Sequence, residues 1–189
     1  MANVDIKKIQ TPLTEEALKT LHVGDQVTIT GVIYTARDAA HRRILEAVDS
    51  GEGSPIELEG QIIYYVGPTP PRPGEVIGSA GPTTAYRMDP YTPRILDMGV
   101  KAVIGKGGRS PQVRESFKEH GAVYFGAIGG AGAFLSQCIK SAEIVAYEDL
   151  GTEAIRRLEV ENFPVIVVND VDGNDLLEQG KLEWKRSIT

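Results

Sequence analysis

Cys138 is the only cysteine in the chain. That excludes an internal disulfide and a structural zinc site of the four-cysteine kind. No stretch approaches the ~18 uninterrupted apolar residues of a membrane-spanning helix. The start, Met1 to Lys7, lacks the apolar core of a secretory signal, so the cytoplasm is the expected compartment and no membrane is expected as a partner. A formal net charge of −6 argues against an extended nucleic-acid surface. Internal repeats and low-complexity segments are missing as well. What remains is ordinary for a globular protein: 189 residues, 41% hydrophobic and 24% charged, within the usual range for one domain with a substantial core. Basic residues concentrate locally at Arg37, Arg42, Arg43, Arg87, Lys106 and Arg109, and this local charge matters more than the total.

Thr14 to Leu18 reads as a short capped helix, and Val27 to Tyr34 alternates in a strand-like period. A helical stretch begins at Asp38, with Ala40, Ile44, Leu45 and Val48 on one face. Arg37 therefore sits at a strand-to-helix junction, where site residues are commonly displayed. Gln61 to Val66 reads as a strand, and Gly67 to Gly74 as a stiff proline-rich connection. From Thr92 the pattern becomes α/β. Helices are expected to start at Thr92-Pro93 and Ser110-Pro111 and to lie near 132–140, 152–158 and 176–184; strands are expected at 100–104, 122–125, 143–147 and 165–168. Cys138 falls in the apolar run Ala133 to Ile139 and reads as a core residue. The pattern alone supports an α/β or α+β fold.

The densest chemistry lies in Gly81-Pro82-Thr83-Thr84-Ala85-Tyr86-Arg87-Met88-Asp89-Pro90 and in Gly105-Lys106-Gly107-Gly108-Arg109-Ser110. Glycines let backbone N–H groups approach a ligand, the two threonine hydroxyls donate or accept, and Arg87 and Lys106 supply a fork and a point charge. The combination suits a small dicarboxylate. The glycine spacing at Gly99 to Gly107 does not fit a P-loop, and Gly107 stands where Ser or Thr would hold magnesium. The turn Gly126 to Gly132 lacks dinucleotide-binding spacing and reads as close packing or an anion-binding turn. His41, four residues after Arg37, is either structural or a group that orients a carboxylate or moves a proton. Asp89 is a candidate to order Arg87, or simply a turn residue. His22 and His120 read as exposed.

Three ordered motifs carry a resemblance. Gly31 to Arg43, the Gly81–Ser110 block, and Phe163-Pro164 through Asp172-Gly173-Asn174-Asp175 resemble the C-terminal, or beta, part of class I fumarases and the related tartrate dehydratases. The likeness runs from about Thr11 to about Leu177. It implies an α/β fold of the swivelling β/β/α layered kind, with residues 1–189 forming one domain. It also implies Thr83 and Lys106 as catalytic residues and Arg37, Thr84, Arg87 and His41 as substrate-binding residues. In that scheme the two arginines and Lys106 hold carboxylates, Thr84 hydrogen-bonds the substrate and Thr83 is the candidate base.

Class I fumarases are iron–sulfur enzymes, and a 4Fe-4S cluster is normally held by three or four thiolates. With one cysteine here, the resemblance implies a partner, a cluster-bearing alpha subunit, and a hetero-oligomer of the alpha2beta2 kind. The implied function is the beta subunit of a fumarate hydratase. The alternatives are a tartrate dehydratase beta subunit and a non-catalytic dicarboxylate-binding or assembly module.

Overall fold

The computed structural model describes residues 5–187; most of the segment read for a missing secretory signal, Met1 to Val4, lies outside them. Seven strands and six helices follow one another in the order β1 (Ile6–Gln10), α1 (Glu15–Lys19), β2 (Gln26–Thr35), α2 (Asp38–Asp49), β3 (Ile62–Tyr64), α3 (Thr92–Asp97), β4 (Ala102–Gly105), α4 (Pro111–Glu119), β5 (Val123–Gly126), α5 (Gly132–Gln137), β6 (Ile139–Ala146), β7 (Ile155–Asn169) and α6 (Leu176–Ser187). Short 3-10 turns cover Ala85–Met88 and Glu148–Glu153. The mixed α/β class expected from the sequence is the class observed. No helix among the described residues is long and apolar enough to cross a membrane.

Strands β2, β3, β4 and β5 run parallel, in that order. The long β7 is antiparallel to both β5 and β2, so the sheet closes on itself. β1 and β6 flank this ring on β2 and β7. Alternation along the parallel strands then makes two cores. Ile62, Tyr64, Ala102, Ile104, Val123 and Phe125 point inward against Ile29, Phe163 and Val165. Ile63, Tyr65, Val103 and Tyr124 point outward, where Ala40 and Ile44 of α2, Ile95 of α3 and Val113 and Phe117 of α4 cover them. The layers are therefore strand, strand and helix.

Two helix starts follow from sequence chemistry. The Thr14 side chain accepts from the Ala17 N–H, and Ser110 caps α4 by accepting from the Val113 N–H, with Pro111 in the first turn. One expected helix is absent: Thr152 to Leu158 is the end of a 3-10 turn followed by the start of β7. Pairing overrides helical propensity there, because 155–160 lie between β2 and β6. β7 also runs through Pro164, which sits opposite Thr28, after a kink at Asn162, whose φ of 51° is left-handed. The helix expected over 132–140 stops at Gln137, and β6 begins at Ile139. Cys138 lies at that junction, half-buried against the inner core.

Candidate functional site

The parallel strands end on one side of the molecule, and the loops that leave them carry the residues expected to bind an anion. The carboxyl ends of parallel strands are where α/β folds, open or closed, place their ligand-binding loops. Arg37 follows β2 and is the N-cap of α2, with extended dihedrals (φ −123°, ψ −165°). Its side chain therefore leaves the helix axis and crosses the backbone of Gly67; a Cβ added at Gly67 would stand 2.7 Å from Arg37 Nη1. Arg87 lies in the 3-10 turn Ala85–Met88. Both guanidiniums converge on one carboxylate: Asp38 Oδ2 is 2.9 Å from Arg87 Nη2 and 3.7 Å from Arg37 Nη2. Glu153 adds a second contact to Arg37, at 3.2 Å, and its other oxygen accepts the Ala39 N–H at 3.0 Å, capping α2. Arg37 Nε is buried without a hydrogen-bond partner.

Thr83, Thr84 and Lys106 meet through the backbone. The Thr83 N–H donates to Tyr65 O (2.7 Å), the Lys106 N–H to Thr83 O (3.2 Å) and the Ala85 N–H to Lys106 O (2.9 Å). These bonds extend the parallel sheet past β3 and β4, with Thr84 paired to Lys106. Gly105 permits the approach, since a Cβ there would stand 3.0 Å from both Ala85 Cβ and Tyr65 Cδ2. The Lys106 side chain runs along Gly129 in the glycine turn after β5. Among the described residues Lys106 has no ion-pair partner, and neither threonine hydroxyl has a protein hydrogen bond. The assembly thus offers two partly neutralised guanidiniums, one unpaired ammonium and two free hydroxyls on an open surface. Such a set can take a small molecule with two carboxylates.

His41 is in a different place. Its side chain is fully buried, its Nδ1 lies 2.8 Å from the Arg37 carbonyl, and it packs against Tyr65 and Tyr91. Burial pushes its pKa down to about 4, so it is neutral near pH 7. The substrate-binding expectation for His41 is corrected: it supports the Arg37 backbone from below and presents no surface to a ligand. Helical spacing misled because Arg37, as an extended N-cap, shares only its carbonyl with that face.

Asp89 also departs from expectation. It pairs with Arg109, at 2.7 Å, and caps the Ser110 N–H at 2.8 Å, while Arg87 takes Asp38. The six basic residues are accordingly not one patch. Arg109 is buried and Arg43 turns to Asp149. Of the other histidines, His22 is exposed, whereas His120 is half-buried against Asp97. Sequence reasoning missed Asp38, whose adjacency to Arg37 was the available signal, and Glu153, which nothing local connects to α2.

An iron–sulfur cluster does not fit this chain. Cys138 sits at the end of α5 against the inner core, burial pushes its thiol pKa up, and it is the only thiol in the sequence.

The family model described as the fumarase C-terminus matches residues 1–180. The chain is 43% identical over 162 residues to the aerobic class I fumarate hydratase of Escherichia coli strain K12, covering 85% of this chain and 30% of that protein. It is 40% identical over 183 residues to a putative class I fumarate hydratase of Geobacillus stearothermophilus, covering 93% of this chain and 35% of the other. It is 39% identical over 173 residues to a putative L(+)-tartrate dehydratase subunit beta of Methanocaldococcus jannaschii, covering 88% of this chain and 89% of that subunit. The chain spans about a third of the length of the fumarate hydratases it matches.

Proposed function

Because the chain belongs to the fumarase C-terminus family, we propose that it is the beta subunit of a two-subunit class I fumarate hydratase, interconverting fumarate and malate in the cytoplasm. In this reading residues 1–189 work as one domain beside a cluster-bearing alpha subunit, in an alpha2beta2 assembly. The observation that carries it is the meeting of Arg37, Arg87, Lys106, Thr83 and Thr84 at one end of the parallel strands. Support for a separate partner comes from the match to most of a relative named as a beta subunit and from the openness of the cationic surface, where 45% of the Arg87 side chain is exposed. In this reading the cluster belongs to that partner, where it would supply Lewis-acid chemistry; the misfit of a cluster to this chain, with its one half-buried thiol, supports the assignment.

Reversible hydration of a dicarboxylate needs anchors for two carboxylates, an acid for the departing hydroxyl and a base for the carbon-bound proton. Arg37, Arg87 and Lys106 serve as the anchors. A substrate carboxylate binding here competes with Asp38 for the two guanidiniums, while Lys106 is free to receive the other. Thr84 orients the substrate by a hydrogen bond. Thr83 is the candidate to move the carbon-bound proton; among the described residues its hydroxyl has no hydrogen-bonded base, so its activation comes from Lys106 or from the partner.

A second reading, a tartrate dehydratase beta subunit, is favoured by the match to nearly the whole of the Methanocaldococcus subunit. The assay that separates them is kcat/KM of the anaerobically assembled enzyme on malate and on tartrate. A preference for malate supports the proposal, and a preference for tartrate replaces it with the second reading.

A further inference from the structure

Among the described residues Arg109 is the one buried arginine, with 0% of its side chain exposed beneath this surface. Two of its three guanidinium nitrogens are engaged, and Nη1 is buried without a hydrogen-bond partner. Nε donates to Asp89 Oδ1 at 2.7 Å and Nη2 donates to Thr92 Oγ1 at 2.6 Å. Its guanidinium carbon lies 5.2 to 5.5 Å from the ring centres of Tyr124, Phe117 and Tyr65. Both acceptors are committed further. Asp89 takes the Ser110 N–H through its other oxygen, and Thr92 Oγ1 donates to Met88 O. Tyr65, beside Thr92, meets His41 edge-on at 5.4 Å, and His41 holds the Arg37 carbonyl. One buried chain of contacts therefore touches the turn that bears Arg87, the loop that bears Lys106 and the cap that presents Arg37.

A buried ion pair is a weak device for stability, since apolar residues of similar volume commonly do as well. It is a strong device for fixing geometry. We propose that Arg109 is the positioning residue of the anion site, the clamp that sets where Arg87 and Lys106 stand relative to each other. Arginine is required because only a planar fork reaches Asp89 and Thr92 at once while lying among three rings; lysine supplies one point charge. The inference rests on the proposed dicarboxylate function only for its kinetic consequence.

Two variants test it, Arg109→Lys and the near-isosteric Thr92→Val, each read in two ways. The first is backbone hydrogen exchange at Ala85 and Lys106, whose amides bond across the two segments, and at Ser110, against the amides of β4. Exchange at the three reporter amides is expected to rise about tenfold or more while β4 stays unchanged, the mark of local loosening. Unchanged exchange in both variants, or an equal rise at β4, overturns the clamp, the latter because it reports a general loss of stability. The second reading is kcat/KM of the assembled enzyme, expected to fall by about tenfold or more in Arg109→Lys, since misplacement of ~1 Å is that costly. Local loosening with wild-type kcat/KM overturns the positioning role. A wild-type assembly that turns over no dicarboxylate overturns the functional reading, and the exchange comparison then decides the clamp without it.

Discussion

Lowering the pH from 7 to 5 costs the folded chain about 2 kcal/mol through His41 alone. Burial is the main cause of its low pKa, with the Arg37 carbonyl bond opposing, Arg109 adding to the depression and Asp38 opposing; the result is about 4, against 6.5 when unfolded. The unfolded chain therefore takes up a proton that the folded chain refuses throughout this window. Stability from this source is full above about 6.5, falls as the pH drops, and by pH 4 has lost most of about 3 kcal/mol. Asp25 acts elsewhere. Its burial is outweighed by the Lys7 and His22 contacts, which hold its pKa below 3.8, so its contribution is lost only in stronger acid. The assay is the guanidinium midpoint at pH 7 and pH 5 for the wild type and for His41→Asn, which retains a donor for the Arg37 carbonyl. The variant is expected to start lower at pH 7, by ~1–3 kcal/mol for lost packing, and to lose less than ~0.5 kcal/mol on going to pH 5. A parallel loss in both proteins would refute the assignment to His41.

Arg87→Lys keeps the charge but loses the fork, and kcat/KM on malate should fall on the order of tenfold or more in the assembled enzyme; unchanged kinetics would remove Arg87 from the site. Thr83→Ala should lower mainly kcat, whereas Thr84→Ala should affect kcat and KM together and more mildly. If Thr83→Ala keeps both its kcat and solvent exchange of the carbon-bound proton, the base is elsewhere. Gly105→Ala places a methyl 3.0 Å from Ala85 and Tyr65 and 3.4 Å from Thr83 O, so it should displace the threonine segment and lower kcat/KM by about tenfold. A crystal structure of that variant with Thr83 and Thr84 unmoved would contradict the mechanism.

The parts legible in the sequence were those with a local physical cause. The Ser110-Pro111 start of α4, the Thr14 cap and the junction at Arg37 each follow from neighbouring residues, and each stands where expected. The illegible parts depend on pairing at a distance. β1 has only two isoleucines and rests on β2 as an edge strand. Residues 155–160 are strand because β2 and β6 hold them, and Glu153 reaches the Ala39 N–H across 114 positions of sequence. The residues proposed to bind an anion could be nominated from the sequence, because arginine, lysine and threonine beside glycine have few other uses in such density. Their wiring was not: whether Asp89 serves Arg87 or Arg109, and whether His41 faces ligand or core, is decided by tertiary packing.

In the proposed division of labour this chain supplies the carboxylate anchors and a partner supplies the cluster. That division is tested most directly by purifying the chain anaerobically, alone and together with a cluster-bearing alpha subunit, and recording the visible spectrum and malate dehydration of each. A colourless, inactive chain alone is expected, and a brown, active assembly that loses activity when Arg37, Arg87 or Lys106 is replaced. A brown chain with full hydratase activity in the absence of any partner would contradict that division.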